Sequence, residues 1–312
     1  MCDQPPAKGD IKDIFFVEST GYECLTARQA CSVESAARTN PRAPITVYME
    51  HQLLTDAMFY WNAGQAKRPR SCRITESLRQ FDNVKFRREA LVEHTKDTPL
   101  WKLHTESSYN YNESNYPVHH RSDAVRVAIL YKSGGIYLDL DCMVMRPLHC
   151  LENTVGDNPH AGKQFWLENS VLVFQAGHPF LHYLMRFMVY NYNPEDYISM
   201  GPTAVTEAFR RFCDIQDGVV KPSFRHQCRN DTLLMVQPKD AFFAINQVKE
   251  VQHKVYQTEA DQADVDLLKN SFLLHVFGAE KGRYVPENSL YGLLAQELCP
   301  TVYAMAIGEG EF

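Results

Sequence analysis

The chain has 312 residues, of which 45% are hydrophobic and 22% are charged, and its formal net charge is −6. This composition is typical of a globular protein and excludes intrinsic disorder and fibrous repeats. The mildly acidic balance argues against nucleic acid as a partner. No run reaches the roughly 20 apolar residues that span a bilayer, and the first residues lack the apolar centre of a signal peptide, so we expect the chain as given to be soluble.

The first half of the chain alternates short apolar runs with a helical pattern. Runs suited to buried strands lie at residues 14–17, 45–49 and 84–86. Between the first two, Thr26 and Gln29 form a capping box, and the helix that it starts ends at Asn40 and Pro41. This β-α-β alternation predicts an α/β fold with a mostly parallel central sheet covered by helices.

The second half continues the alternation without a convincing linker. After an irregular, Tyr- and Asn-rich segment at 107–117, a helix is predicted over 122–133, and Gly134 and Gly135 end it. Further strands are predicted at 136–138, 171–174 and 272–276, and further helices at 180–190, from Pro202 to about residue 213, and after a cap at Asn288. A single α/β domain is the simplest interpretation.

Nine cysteines and two glycosylation sequons, at Asn112 and Asn230, indicate a secretory or Golgi lumen. Buried free thiols in a cytosolic protein are the alternative. No Cys-x-x-Cys is present, so a zinc ribbon has no support, and the odd number of cysteines leaves at least one thiol unpaired. The connectivity is open, and the candidate pairs include Cys213 with Cys228 and Cys31 with Cys72.

Two carboxylates follow the predicted strand at 136–138. Asp139 and Asp141 are two residues apart in extended chain, so their side chains point the same way. Oxygen ligands of this kind suit Mg²⁺ or Mn²⁺, and ligands of α/β folds bind beyond the carboxyl ends of strands. A cation held there would neutralise a departing diphosphate. The sequence therefore predicts a divalent-cation and nucleotide-diphosphate site.

The helix before this strand carries a second charged pair. Asp123 and Arg126 are three residues apart and share a helix face, and the glycine pair at 134–135 turns the chain so that this face can look toward the carboxylates. Such a pair can bind sugar hydroxyls and phosphate; a surface ion pair is the alternative. A second Asp-x-Asp, at 264–266, has a polar helical context and is interpreted as a solvated face.

An Asp-x-Asp after an apolar strand also occurs in phosphatases of the haloacid-dehalogenase type, where the first Asp is a nucleophile. That type expects Thr or Val two residues after the second Asp, and Met143 stands there. It also expects adjacent carboxylates downstream, and the sequence has no Asp-Asp pair. The cation-binding interpretation is therefore favoured.

Four segments resemble one family of enzymes. Residues 31–41, the Ser-Asp-x-x-Arg of 122–126, the Gly-Gly-Ile-Tyr-Leu-Asp-x-Asp of 134–141 and the Gly-Pro-x-x-x-Thr of 201–206 are similar to the lactosylceramide α1,4-galactosyltransferase and α1,4-N-acetylglucosaminyltransferase family. The likeness runs over about residues 11–300. Residues 31–41 and the Gly-Gly-Ile-Tyr-Leu-Asp-x-Asp segment are specific, whereas the Ser-Asp-x-x-Arg segment is shared with glycosylating toxins.

The resemblance implies a GT-A type fold, a UDP-galactose or UDP-N-acetylhexosamine donor, Mn²⁺ or Mg²⁺, and retention of the α-anomer. The implied acceptor is the 4-hydroxyl of a terminal galactose-type sugar on a glycosphingolipid. The family is a Golgi type II membrane enzyme family, so this chain would be a luminal part, associated with the membrane through its substrate or through an anchor not seen in this sequence. The implied divisions are tails at 1–10 and 301–312, a nucleotide-sugar half at about 11–150 and an acceptor half at about 151–300.

The resemblance also assigns individual residues. Asp139 and Asp141 match the metal and diphosphate motif, and His275 matches a late histidine that can complete a metal site. Asp123 and Arg126 match contacts to the donor sugar and phosphate. The remaining residues implied to bind the donor are Phe16, Val17, Glu18, Tyr137 and Asn169.

Several of these residues have a second interpretation. His275 lies between apolar residues, which is also typical of a core histidine. Met200 stands where relatives often carry an amide, and Phe277 where they often carry tryptophan, so a catalytically silent relative that binds glycolipid or carbohydrate is the alternative function. Residues that either stack on an acceptor sugar or anchor a loop are Tyr109, Tyr111 and Tyr116.

Overall fold

A computed structural model describes residues 2, 6–7, 9, 11–51, 72–106, 111–159, 165–215, 225–245, 252–257, 259–278 and 285–309. The strands in these residues are Ile14–Glu18 (β1), Ile45–Glu50 (β2), Val84–Glu89 (β3), Gly135–Leu138 (β4), Cys142–Val144 (β5), Thr154–Asp157 (β6), Leu167–Phe174 (β7), Arg225–Gln227 (β8), Leu233–Gln237 (β9) and Leu273–His275 (β10).

The α-helices are Ala27–Thr39 (α1), Arg73–Ser77 (α2), Lys102–Thr105 (α3), Pro117–Ser133 (α4), Pro179–Tyr190 (α5), Pro202–Phe212 (α6), Lys239–Phe242 (α7), Gln262–Leu267 (α8), Leu290–Leu298 (α9) and Pro300–Glu309 (α10). Short 3-10 turns lie at Leu78–Gln80, Leu91–Thr95, Pro99–Trp101, Tyr111–Glu113 and Arg229–Asp231, and a π-helical turn at Gln252–Gln257.

Eight strands form one mixed sheet in the order β3-β2-β1-β4-β7-β6-β9-β8. The first four are parallel, as the β-α-β pattern predicts. β7 is antiparallel to both β4 and β6, and β9 is parallel to β6. A separate antiparallel ribbon joins β5 to β10. The change of strand direction between β4 and β7 lies beside the Asp-x-Asp motif, which follows β4.

Two apolar cores cover the two faces of the sheet. In β1, Ile14 and Phe16 belong to the core with α1, α9 and α10, whereas Phe15 and Val17 belong to the core with α4, α5 and α6. This division follows from the period of two in a strand, because both faces of a central strand are covered. The phenylalanines of α5 and α6 are all buried, namely Phe180, Phe187, Phe209 and Phe212.

Most predicted elements are confirmed with shifted ends. The predicted helix at 122–133 starts earlier, at Pro117, where proline suits the first helical position. The cap predicted at Asn288 is wrong, because the Ser289 hydroxyl accepts the Gly292 N–H at 3.1 Å. The short strands β5, β6, β8 and β9 were not predicted, since three to five residues carry little periodicity.

The segment after residue 300 was expected as a tail, and the structure shows helix α10 there. Val302 and Ala306 are buried in the α1 core. The buried carboxylate of Glu34 accepts the N–H groups of Thr301 and Val302, at 3.1 and 2.7 Å, and so caps the start of α10. Because these partners are more than 260 residues apart, no local pattern indicated the contact.

Four disulfides are present. The predicted pair Cys213–Cys228 is confirmed. The pair Cys31–Cys72 is wrong, since Cys31 faces the start of α10 and bonds Cys299. The other disulfides are Cys24–Cys72 and Cys2–Cys150, and the cysteine left over is Cys142.

The structure also bears on the second Asp-x-Asp, the two sequons and the question of a membrane-spanning helix. The second Asp-x-Asp, at 264–266, lies in α8, a surface helix with no buried residue, as predicted. The sequon residue Asn230 is exposed, whereas the side chain of Asn112 lies outside the described part. Within the described residues, no helix has both the length and the apolar character needed to cross a bilayer.

Candidate active site

A tight glycine turn joins the charged face of α4 to the Asp-x-Asp motif. Gly134 and Gly135 have φ values of +67° and +109°, which L side chains rarely adopt. A Cβ on Gly135 would lie 2.4 Å from the Asp13 carbonyl oxygen. The turn therefore needs glycine, and it lets β4 run back along α4, so that the end of β4 comes to lie beside Arg126.

Backbone hydrogen bonds hold the motif itself. The Asp139 N–H donates to the Ser170 carbonyl of β7 at 2.9 Å, and the Asp139 carbonyl accepts the Cys142 N–H at 3.1 Å. The side chains of Asp139 and Asp141 each keep 27% exposure. Two carboxylates thus share the edge beyond β4 and remain open to a ligand.

Arg126 is the centre of a charge network. Its Nη1 lies 3.0 Å from Asp139 Oδ1, and its Nη2 lies 3.2 Å from Asp123 Oδ1. The guanidinium also stacks on the Tyr137 ring, with Cζ 4.5 Å from the ring centroid, and the Tyr137 hydroxyl donates to Asp139. Burial alone would lower the pKa of Arg126, but Asp139 and the other neighbours raise it, so Arg126 is always charged.

Asp123 is buried beside Asn169. The Asn169 Nδ2 donates to Asp123 Oδ1 at 2.7 Å. Burial raises the pKa of Asp123, while Arg126 and the Asn169 hydrogen bond oppose that rise. A Cβ on Gly201 would lie 3.0 Å from Asp123 Oδ2 and 3.1 Å from Asn169 Oδ1. The start of α6, in the Gly-Pro motif, therefore closes against this pair.

The ribbon of β5 and β10 brings His275 to the carboxylates. His275 Nε2 lies 3.1 Å from Asp141 Oδ1 and 3.9 Å from Asp139 Oδ2. The side chain is 5% exposed, and Phe277 packs edge-on against it with ring centroids 4.1 Å apart. Burial lowers the pKa of His275, but Asp141 outweighs it and raises the pKa. The histidine is therefore neither isolated in the core nor far from the predicted site.

The backbone after His275 completes this side of the site. Phe277 and Gly278 have φ values of +52° and +60°, and the Gly278 N–H donates to Asp141 Oδ2 at 2.5 Å. A left-handed conformation in a residue with a side chain is uncommon and costs roughly 1 kcal/mol or more. The turn thus holds Asp141 in place at some backbone cost.

The donor set fits a divalent cation. Asp139 and Asp141 offer carboxylate oxygens, His275 offers a ring nitrogen, and these are ligands of Mn²⁺, Mg²⁺ and Zn²⁺. The buried Nδ1 of His275 has no hydrogen-bond partner in the described part of the chain. Arg126 lies against one side of this carboxylate pair and His275 against the other.

The residues predicted on β1 are all buried. Phe16 lies in the α1 core, because β1 is covered on both faces. Val17 is buried in the opposite core. Glu18 is buried at the end of β1, where its Oε1 accepts the Thr20 N–H at 3.1 Å, and burial raises the pKa of Glu18.

An aromatic wall beside the carboxylates was found only in part by sequence reasoning, which named Tyr116 but missed His119 and Tyr197. We give this name to Tyr116, His119 and Tyr197. The Tyr197 ring is 43% exposed and packs edge-on against Tyr116 and His119, with centroids 5.3 and 4.6 Å apart. Partial burial, followed by the charge of Asp123, raises the pKa of Tyr197 to about 12. Its position three residues before Met200 was the available signal.

The other predicted aromatic residues do not join this wall. Tyr111 is fully buried and anchors its segment, and Tyr109 lies outside the described residues. Met200 is buried in the core of α4, α5 and α6.

Comparisons with known proteins cover both halves of the chain. The family model described as "Glycosyltransferase sugar-binding region containing DXD motif" matches residues 26–162, and "Alpha 1,4-glycosyltransferase conserved region" matches residues 173–306. The chain is 32% identical to lactosylceramide 4-alpha-galactosyltransferase of Mus musculus, over 93% of this chain and 75% of that protein. It is 29% identical to alpha-1,4-N-acetylglucosaminyltransferase of Homo sapiens, over 88% and 74%.

Solved structures with a similar backbone include the galactosyltransferase LgtC in complex with donor and acceptor sugar analogs. It has a TM-score of 0.43 and 13% identity, covering 96% of this chain and all of that one. The fold is the expected α/β domain, with a mixed sheet and helices on both faces. From the level and extent of its similarity to these relatives, the chain belongs to the α1,4-glycosyltransferase family that includes lactosylceramide 4-alpha-galactosyltransferase, and it is a glycosyltransferase.

Proposed function

We propose that this chain transfers an α-hexosyl unit, galactose or an N-acetylhexosamine, from a UDP-sugar to the 4-hydroxyl of a terminal galactose-type sugar on a glycosphingolipid, with retention of configuration. One observation carries the proposal: Arg126 bridges Asp123 and Asp139, and His275 lies against Asp141, at one edge of the sheet. The names of the relatives support the substrate classes.

Asp139, Asp141 and His275 would hold the divalent cation. When bound, this cation supplies positive charge that stabilises the departing diphosphate. We favour Mn²⁺ over Mg²⁺, because the imidazole nitrogen is a poorer ligand for magnesium than an oxygen. The exposure of both carboxylates supports this role, since a ligand can reach them without unfolding.

The protein's own groups have separate tasks in this proposal. Arg126 offsets negative charge at Asp139 and can turn part of its guanidinium to phosphate. Asp123 and Asn169, which are hydrogen-bonded to each other, orient the hydroxyls of the donor sugar. In a same-face reaction the bond from the anomeric carbon to the diphosphate breaks as the acceptor oxygen bonds to that carbon, and the acceptor proton leaves with the diphosphate.

The aromatic wall supports an acceptor site next to the donor. An exposed tyrosine ring presents a flat apolar face on which the C–H face of galactose can stack, and its hydroxyl can hydrogen-bond. Tyr197 stands close enough to the carboxylates for Asp123 and Asp139 to raise its pKa. A sugar on this wall would therefore have its reactive hydroxyl near the donor.

The test replaces both carboxylates of the motif. Asp139→Asn with Asp141→Asn removes the cation's charged ligands at nearly constant volume, so we expect transfer to fall at least about 100-fold, with an unchanged circular dichroism spectrum. The matched control is Asp264→Asn with Asp266→Asn, the second Asp-x-Asp, on the surface helix α8. Near-normal transfer by the first variant would refute the proposal.

The four disulfides support an oxidising compartment, and we propose the Golgi lumen, where the enzyme would act at the membrane that holds its lipid acceptor.

A catalytically silent carbohydrate-binding protein is the second candidate, favoured by the apolar, buried Met200. UDP-sugar hydrolysis with and without Mn²⁺ separates the two, because a silent protein shows no hydrolysis and no binding of UDP.

A further inference from the structure

Cys142 is a thiol inside the site that the proposed reaction does not use. Of the cysteines, all of which the structure describes, it is the one without a disulfide, and it is fully buried. It directly follows Asp141, and the register of β5 and β10 pairs it with His275. Side chains of directly opposed residues lie on the same face of an antiparallel pair, so the thiol and the imidazole are neighbours.

The three side chains bring different donor atoms together. One carboxylate oxygen of Asp141, the sulfur of Cys142 and one ring nitrogen of His275 all lie within 4.8 Å of one another. A tetrahedral zinc site uses sulfur at about 2.3 Å and nitrogen or oxygen at about 2.0–2.2 Å from the ion. The three donor atoms are therefore grouped closely enough to hold one ion.

A second observation points to a ligand here. His275 is 5% exposed, and its Nδ1 is buried with no hydrogen-bond partner among the described residues. The rings of Phe243 and Phe277 stand edge-on to it, with centroids 5.7 and 4.1 Å away. The nitrogen that faces Asp141, Nε2, lies 3.1 Å from Asp141 Oδ1 and likewise makes no hydrogen bond among the described residues. A buried polar nitrogen among apolar rings is costly unless it finds a partner, and a cation bound between Nε2 and Asp141 would provide one.

We propose that Cys142 is a metal ligand and that Asp141, Cys142 and His275 form a set that binds thiophilic divalent cations such as Zn²⁺ and Cd²⁺. Hard cations such as Mn²⁺ use the carboxylates of Asp139 and Asp141, whereas the thiol draws a soft cation inward, away from Asp139. On binding, the S–H bond breaks, a sulfur–metal bond forms and the proton goes to solvent, with no change of oxidation state.

This inference rests on the proposed function, because it concerns the same cation site. It predicts that a soft cation binds more tightly than Mn²⁺ and supports transfer less well, because it moves away from the diphosphate. Zinc and cadmium would therefore act as inhibitors that compete with manganese. Cys142 thus becomes a residue that sets which metal the enzyme accepts.

The experiment titrates Cd²⁺ into the full chain after chelator treatment and follows the ultraviolet charge-transfer band of a cadmium–thiolate bond. Because the other cysteines are in disulfides, this band can come only from Cys142. We expect a band that saturates at one equivalent. In Cys142→Ser we expect no band and a Cd²⁺ dissociation constant at least about tenfold higher, with Mn²⁺ affinity changed less than about threefold.

The outcomes separate the inference from the function on which it rests. Calorimetric binding of Cd²⁺ to the unmodified chain without a charge-transfer band would overturn the role of Cys142 and leave the cation site of the carboxylates standing. Failure of both Cd²⁺ and Mn²⁺ to bind would overturn the inference together with the metal role of the proposed function. Because the band is measured on the unmodified chain, the test holds even if the variant folds poorly.

Discussion

Replacing Arg126 by methionine tests whether the charge network of the site is also a structural element. Methionine keeps the apolar stem that packs on Tyr137 but removes the guanidinium. The Arg126 side chain is 8% exposed, and its guanidinium pairs with Asp123 and Asp139 at 3.2 and 3.0 Å. It also donates to the Ser122 hydroxyl at 2.9 Å. Arg126→Met therefore leaves the buried Asp123 carboxylate without its cation.

Removing one partner of a buried ion pair costs about 3–5 kcal/mol. We expect Arg126→Met to lower the free energy of unfolding by about 3 kcal/mol, the lower end of that range, because Asp139 is partly exposed and water can compensate its charge. Adding Asp123→Asn to this variant should restore about 1–2 kcal/mol, since a neutral amide needs no buried cation.

The assay is urea unfolding followed by circular dichroism on the single and double variants. The matched control is Lys96→Met, which removes a cation from the i,i+3 pair with Glu93, whose side chains are 48% and 50% exposed. That control should change the free energy of unfolding by at most about 1 kcal/mol. Arg126 does not stabilise the fold through its ion pairs if Arg126→Met is as stable as the control variant. The same conclusion follows if adding Asp123→Asn lowers the free energy of unfolding further instead of restoring part of it.

Burial raises the pKa of Asp157 from 3.8 to about 6. The protonated form therefore stabilises the folded state at low pH, and this contribution is lost as the pH rises through 6. When the pH is raised from about 4 to about 7, the free energy of unfolding of Asp157→Asn should rise by about 1–3 kcal/mol relative to that of the unmodified chain, as measured by urea titrations. Replacing both Cys31 and Cys299 by alanine should lower the free energy of unfolding by about 2–5 kcal/mol in the same assay. Gly201→Ala should reduce kcat/KM about tenfold or more, because the new Cβ would press on the Asp123–Asn169 pair. The control is Gly308→Ala, whose new Cβ would meet nothing within 4 Å and should leave kcat/KM unchanged.

Local patterns accounted for the first half of the fold and for the centre of the site. The capping box of Thr26 and Gln29 is present as predicted, because it involves residues three apart. The parallel strands followed from the alternation of apolar runs and a helix. Asp139 and Asp141 were predicted because they directly follow an apolar strand, and the structure leaves both partly exposed at its end.

Contacts between distant segments could not be read in the same way. His275 reaches Asp141 only because β10 pairs with β5, and an apolar neighbourhood alone is equally typical of a core histidine. The partner of Cys31 was wrongly predicted, since nine cysteines allow many pairings. The burial of Phe16 also depends on distant segments, since its side chain lies in a core that α1, α9 and α10 complete.

The sequence by itself determined the longer strands and helices, and which charged groups stand next to each other along the chain, because these depend on interactions between near neighbours. Only the tertiary structure decided the partner of His275, the neighbours of Tyr197 and the place of the thiol of Cys142. Each of these depends on which remote segments pack together, and that choice is made by burying apolar surface over the whole domain.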